Sequence, residues 1–150
     1  MTERSLTGGC LCGAVRFELS PPVRDVVICH CSQCAKWTGY AVAAAAVAPQ
    51  NLKLISGEDD LRWYAATPAA ERGFCARCGS SLFWKPADGS RLSVLAGTID
   101  PPTGLTTRAH IFVSGKSDFY EIADDVPQFE LGGGAMSNIV KLANLGKPGL

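Results

Sequence analysis

Hydrophobic and polar positions alternate along much of the chain with a period of two, the period of a half-buried strand. Residues 14–20 (Ala-Val-Arg-Phe-Glu-Leu-Ser) show it first, and Ser20-Pro21-Pro22 ends the run. Val26-Val27-Ile28 begins a second strand, and Ser32 to Thr38 reads as a loop or single helical turn that Gly39 breaks. Tyr40 to Ala48 is apolar throughout. Gly39 and Pro49 bound it tightly and Val42 and Val47 are β-branched, so a buried strand is favoured over a short Ala-rich helix. Further strands are expected at Leu52 to Ile55, through Leu61, Trp63 and Ala65, and at Leu92 to Val94. Another is expected through Ala109, Ile111 and Val113, beyond the turn-rich Asp100-Pro101-Pro102-Thr103-Gly104. Between them, Arg72 to Cys75 and Leu82-Phe83-Trp84 flank a turn at Cys75 and Cys78, the strand–turn–strand of a metal-binding knuckle.

The pattern weakens towards the C-terminus. Ser117 to Phe129 is mixed, and Pro127 argues against a long helix there. Gly132-Gly133-Gly134 makes a flexible break, after which Ala135 to Leu145 can form a short amphipathic helix through Met136, Ile139, Val140 and Leu142. The expected architecture is a mainly β domain with short helical turns over residues 1–130, followed by a glycine-led extension over residues 131–150.

Composition narrows the function classes. The 150 residues are 47% hydrophobic and 19% charged, so the chain can bury a core. Lys+Arg and Asp+Glu both number 14, which argues against nucleic-acid binding, since that needs a basic surplus. Short basic spots such as Arg72 and Arg77 read as solvated surface. Met1 to Gly9 lacks the apolar core of a secretory peptide, and the longest apolar run, Tyr40 to Pro49, is too short to span a membrane. A cytoplasmic setting with reduced thiols is therefore expected.

Seven cysteines then change the picture. An odd number fits disulfides poorly, and metal ligation is favoured. They fall in three groups: Cys10 and Cys12; Cys29, Cys31 and Cys34; Cys75 and Cys78. Cys12 and Cys78 are each followed by glycine, whereas Cys34 is followed by Ala35. A tight turn that aims N–H groups at thiolates needs positive φ just past the second ligand, which glycine supplies without steric cost. Cys10, Cys12, Cys75 and Cys78 thus read as two matching turns around one closed zinc, tying the N-terminal strand to the middle of the sheet. The rival grouping, Cys31 and Cys34 with Cys75 and Cys78 as a zinc ribbon, leaves Cys10, Cys12 and Cys29 without a role.

In the first grouping Cys29, Cys31 and Cys34 make a three-ligand site with a position left for water or a substrate atom. Three thiolates leave the ion a weak Lewis acid but a good seat for a soft sulfur ligand, which points to thiol addition and not to hydrolysis. His30, between two ligands, is expected to pack or support the site and not to ligate, and His110 to be hydrogen-bonded near the sheet. Trp37, Trp63 and Trp84 are expected in the core or the wall of a pocket.

The segments Gly9-Cys10-Leu11-Cys12-Gly13-Ala14-Val15-Arg16-Phe17, Cys29-His30-Cys31-Ser32-Gln33-Cys34 with Trp37-Thr38-Gly39, and Phe74-Cys75-Ala76-Arg77-Cys78-Gly79-Ser80 resemble the glutathione-dependent formaldehyde-activating enzyme family, also called the centromere-protein-V/GFA domain family. Gly97-Thr98-Ile99-Asp100-Pro101 and His110-Ile111-Phe112-Val113 resemble its later blocks. Ala35 and Phe119 depart from the usual Arg and Trp of relatives. The resemblance implies an Mss4-like zinc-stabilised β-sheet fold and two Zn²⁺. One is structural, on Cys10, Cys12, Cys75 and Cys78; the other is catalytic and open, on Cys29, Cys31 and Cys34. It implies a carbon–sulfur lyase-type reaction joining formaldehyde to glutathione as co-substrate. The alternative is a non-catalytic zinc domain that binds glutathione or a protein partner.

Overall fold

Two β-sheets take up the alternating segments. The structure is a computed structural model, and it describes residues 1–132. A three-stranded antiparallel sheet orders β1 (Leu6–Gly9), β2 (Arg16–Leu19) and β5 (Leu52–Ser56). A seven-stranded sheet runs β10 (Thr107–Ile111), β3 (Arg24–Cys29), β4 (Val42–Val47), β9 (Leu92–Leu95), β8 (Ser81–Pro86), β7 (Ala70–Cys75), β6 (Leu61–Thr67). Its neighbours are antiparallel except β10, which lies parallel to β3. The domain is mainly β, as the alternation predicts.

The period of two explains how the sheets face each other. In β2, Phe17 and Leu19 are fully buried while Arg16 and Glu18 lie nearer solvent. The Phe17 ring meets Phe83 of β8 edge-on, with centroids 5.1 Å apart, and joins the small sheet to the large one. Val15, Leu19 and Val23 close the same core against Ala45, Val47, Leu82 and Val94. Burying one such side chain contributes about 1.5–3 kcal/mol. The apolar run after Gly39 is a strand because β4 lies inside the sheet, paired on both edges with β3 and β9.

Ser32–Thr38 forms the one α-helix among the described residues, α1, the helical alternative of the two and longer than a single turn. Cys31 is its N-cap, and Gly39 ends it at φ 86° with its N–H bonded to the Ala35 carbonyl. β1 has no counterpart in the hydrophobic pattern, because Leu6 is its one large apolar residue. Gly8 is needed there for space: a Cβ would sit 2.4 Å from both Phe17 Cζ and the Thr98 carbonyl. β10 stops at Ile111, short of the expected Val113, because Phe112 takes a left-handed backbone at φ 53°. The segment 117–129 is held along β10 by hydrogen bonds from the His110 N–H to the Pro127 carbonyl and from the Phe129 N–H to the His110 carbonyl. The helix expected over 135–145 lies outside the described residues. Among the described residues no helix is long and apolar enough to cross a membrane.

Candidate metal centres and cavity

Cys10 and Cys12 lie between β1 and β2, while Cys75 ends β7 and Cys78 precedes β8. The fold brings their four Sγ atoms within 4.8 Å of one another. Cys10 and Cys12 Sγ are 3.5 Å apart, and Cys12 and Cys75 Sγ 3.9 Å. A tetrahedron of sulfurs at a Zn–S distance of about 2.3 Å has edges of about 3.8 Å, so this donor set fits zinc. Each pair sits on a tight turn closed by a glycine N–H, three residues after Cys10 and four after Cys75. Gly13 and Gly79 take φ 79° and 76°, and their N–H groups bond the Cys10 and Cys75 carbonyls at 3.0 and 2.8 Å.

Local donors favour the thiolate at two of these cysteines, Cys10 and Cys78. Burial pushes the Cys10 thiol up, but the Val15 N–H, 3.2 Å from its Sγ, and the neighbouring thiols leave it below its ordinary value. The Ser80 hydroxyl, 3.2 Å from Cys78 Sγ, together with its backbone N–H, lowers that thiol to about 5.

The second group is built at the junction of β3 and α1. Cys29 ends β3, Cys31 caps α1 and Cys34 lies in its first turn, with all three Sγ atoms within 4.8 Å of one another. The rival ribbon grouping does not form. Hydrogen bonds from the Cys29 and Cys34 thiols, and from the Cys34 N–H at 3.3 Å, hold Cys31 well below the usual thiol range. Donating hydrogen bonds to neighbouring thiols, with burial behind them, pushes Cys29 and Cys34 up. One thiolate forms readily, and a full set requires a cation among them. A sulfur-only donor set of this size suits a borderline-soft divalent ion such as zinc.

These three cysteines line a cavity of about 380 Å³, and none of the other four does. Val27, Val42, Trp37 and Trp84 give it apolar walls, whereas Trp63 packs on Phe83 in the core. Arg24, Arg72 and Arg91 also face it. The expectation that Arg72 is solvated surface is therefore corrected. It is 5% exposed, and its Nη2 donates to Gln33 Oε1 of α1 at 2.6 Å. Arg77 is exposed as expected, paired with Asp60.

His30 does not line the cavity. Its ring turns the other way, with Nε2 2.8 Å from His110 Nδ1 and Nδ1 2.6 Å from the Tyr120 hydroxyl, while His110 Nε2 meets Asp124 at 3.1 Å. His30 is thus packed and turned away from the cavity, and His110 is hydrogen-bonded within the sheet, as expected of each. Tyr120 and Asp124 were not visible as members of this group, because their partners lie far away in sequence and no local spacing marks them.

The family described as glutathione-dependent formaldehyde-activating enzyme matches residues 5–115. An uncharacterized lyase of Schizosaccharomyces pombe is 26% identical over 135 residues, spanning 89% of this chain and 96% of its own. A Halomonas elongata protein, whose name assigns it to glutathione-dependent formaldehyde activation, is 33% identical over 132 residues, spanning 78% of this chain and 80% of its own. A crystal structure of a Rhodobacter sphaeroides protein superposes with a TM-score of 0.56 at 22% identity, over 67% of this chain and 97% of that one, and shares the fold.

Proposed function

The chain belongs to the glutathione-dependent formaldehyde-activating enzyme family, and on that premise we propose that it is a zinc-dependent enzyme of the carbon–sulfur lyase type. It joins the thiol of glutathione to formaldehyde to give S-(hydroxymethyl)glutathione, or cleaves that adduct. In this reading Cys10, Cys12, Cys75 and Cys78 hold a structural zinc, and Cys29, Cys31 and Cys34 hold a second zinc with one position open. The supporting observation is that the three-cysteine group opens into the cavity while the four-cysteine group does not.

Zinc bound to the three cysteines would keep a fourth, incoming sulfur in its thiolate form at neutral pH. The chain's own residues do the rest. The cysteine sulfurs fix where that ligand sits, at the mouth of α1. Val27, Val42 and Ala44 line the same space with hydrocarbon, which suits the methylene next to the sulfur and a small aldehyde beside it. A new C–S bond forms from the sulfur lone pair to the carbonyl carbon. The carbonyl π pair moves to oxygen, which takes up a proton equivalent to the one the thiol lost. No oxidant or reductant is needed.

Exchange NMR of formaldehyde and glutathione with their adduct tests the proposal. Wild-type protein should accelerate exchange at substoichiometric concentration, and Cys31→Ser should not. A fully zinc-loaded protein that leaves the uncatalysed rate unchanged would overturn the formaldehyde reaction. If it still binds glutathione, it is a thiol-binding module.

A further inference from the structure

Three arginines line the cavity with no carboxylate within ion-pair distance among the described residues. Arg24 comes from β3, Arg72 from β7, and Arg91 stands just before β9. Arg16, Arg77 and Arg108 are paired with Asp100, Asp60 and Asp25. No Asp or Glu lines the cavity, and residues 133–150 contain none. Arg24 and Arg72 are each 5% exposed, and Arg24 Nε and Arg72 Nη1 are buried without a hydrogen-bond partner among the described residues. Arg24 is otherwise anchored by the Asp25 carbonyl at 2.6 Å and the Ala44 carbonyl at 3.3 Å. Two guanidiniums rest on aromatic faces: Arg72 lies 5.7 Å from the Trp37 ring centre and Arg91 5.0 Å from that of Trp84.

A buried cation with an open donor is costly until an anion meets it. Burial, and then the charge of Arg91, lower Arg24 to about 10, so it is still cationic near neutrality. Three guanidiniums also outweigh the negative charge left on the cysteine group once it holds a divalent ion. Their planar forks match carboxylates in a way that a water or a backbone carbonyl does not.

We propose that Arg24, Arg72 and Arg91 form a carboxylate subsite, so that the cavity selects a thiol bearing carboxylate groups over neutral or cationic thiols. This rests on the reading that the cavity takes a small thiol beside Cys29, Cys31 and Cys34. It assigns specificity to the arginines and sulfur placement to the cysteines. Glutathione, with two carboxylates, meets the requirement; cysteamine, with none, does not.

Isothermal titration of the zinc-loaded full chain tests the subsite without measuring turnover. The ligands are glutathione, its diethyl ester and cysteamine; the proteins are wild type, Arg72→Gln, Arg91→Gln and Arg91→Lys. Equal zinc content and near-ultraviolet circular dichroism control for folding. Each Gln variant should bind glutathione about tenfold or more weakly and bind cysteamine as wild type does, with Arg91→Lys intermediate. The diester should bind wild type as poorly as glutathione binds the Gln variants. Gln variants within about twofold of wild type for glutathione would overturn the subsite, and so would a diester that binds as tightly as the acid. If wild type does not bind glutathione at all, glutarate decides, followed by tryptophan fluorescence. An arginine-dependent response keeps the carboxylate subsite and removes glutathione as the thiol; no response overturns both.

Discussion

His30 Nε2 lies 2.8 Å from His110 Nδ1, and this contact joins the loop of the three-cysteine group to β10, the edge strand beside β3. The rings meet because β10 pairs in parallel with β3, which sets His110 opposite Ile28. With both rings neutral, one arrangement of protons satisfies every atom. The Tyr120 hydroxyl donates to His30 Nδ1, His30 Nε2–H donates to His110 Nδ1, and His110 Nε2–H donates to the Asp124 carboxylate. Burial first, and then nearby positive charge including that of Lys116, lowers the pKa of His30 and favours its neutral form. The backbone between Cys29 and Cys31 is thereby held from behind, so the chain of rings positions two of the cavity cysteines.

His110→Ala should therefore cost about 2–4 kcal/mol in urea unfolding. It empties a buried ring site and leaves the His30 N–H without a partner. Asp124→Asn, on an exposed side chain, should cost much less. Equal costs for the two would mean that the rings do not act as a buried unit. Hydrogen exchange of the Phe129 amide, which bonds the His110 carbonyl, should accelerate in the first variant and not in the second.

What the sequence made legible follows from the range of each interaction. Burial that alternates within one strand shows in β2, and the Gly13 and Gly79 turns show beside their cysteines, because each is decided within a few residues. β1 stayed hidden because its packing partner is the space above Phe17 and not a side chain of its own. Arg24 and Asp25 begin β3 as two buried charges, where hydropathy alone starts the strand at Val26. The ring chain and the cavity arginines are products of strand order, and no local spacing carries them.

Gly8 and Gly13 separate two reasons for a glycine. Gly13→Ala meets open space and should cost only the strain of a positive φ, about 1–2 kcal/mol. Gly8→Ala must displace the Phe17 ring or the Thr98 backbone and should cost more, about 3 kcal/mol, with loss of the Phe17–Phe83 contact. Thermal unfolding of both variants checks the order. A Gly13→Ala protein that is the less stable of the two would show that the turn, and not the close approach, is the tighter constraint.

Asp25 sets an acid limit on stability. Burial pushes its carboxyl up. Hydrogen bonds from the N-terminal amine, from Arg108 Nε at 2.8 Å and from the Thr106 N–H at 3.2 Å outweigh that and leave it below its ordinary 3.8. A lowered folded-state pKa means that the unfolded chain binds more protons in the window between the two values, so stability rises with pH there. The contribution is fully present above pH 3.8 and is lost as pH falls through the folded value. Asp25→Asn should lower stability near neutrality by about 1–3 kcal/mol and flatten the decline below pH 4, as read from urea midpoints across pH. An unchanged acid limb in the variant would remove Asp25 as its source.

The two cysteine groups should respond oppositely to loss of one ligand. Cys78 belongs to the group that ties the turn before β2 to the turn after β7, and the core around Phe17 and Phe83 is closed by the same strands. On the proposed structural role of that zinc, Cys78→Ser should give a protein that loses the ion and unfolds cooperatively at lower temperature or aggregates, since ligation would then be part of folding. Cys31 sits at the N-cap of a seven-residue helix at the cavity wall. A serine at 31 can still accept the Cys34 N–H, so Cys31→Ser should retain near-wild-type circular dichroism and bind one zinc fewer. Stepwise chelation of wild type, followed by metal release and circular dichroism together, should show the same division. The ion on the open group should leave first without unfolding, and the second should leave with the fold. Simultaneous loss of both ions with structure would mean that the two groups are one cooperative unit.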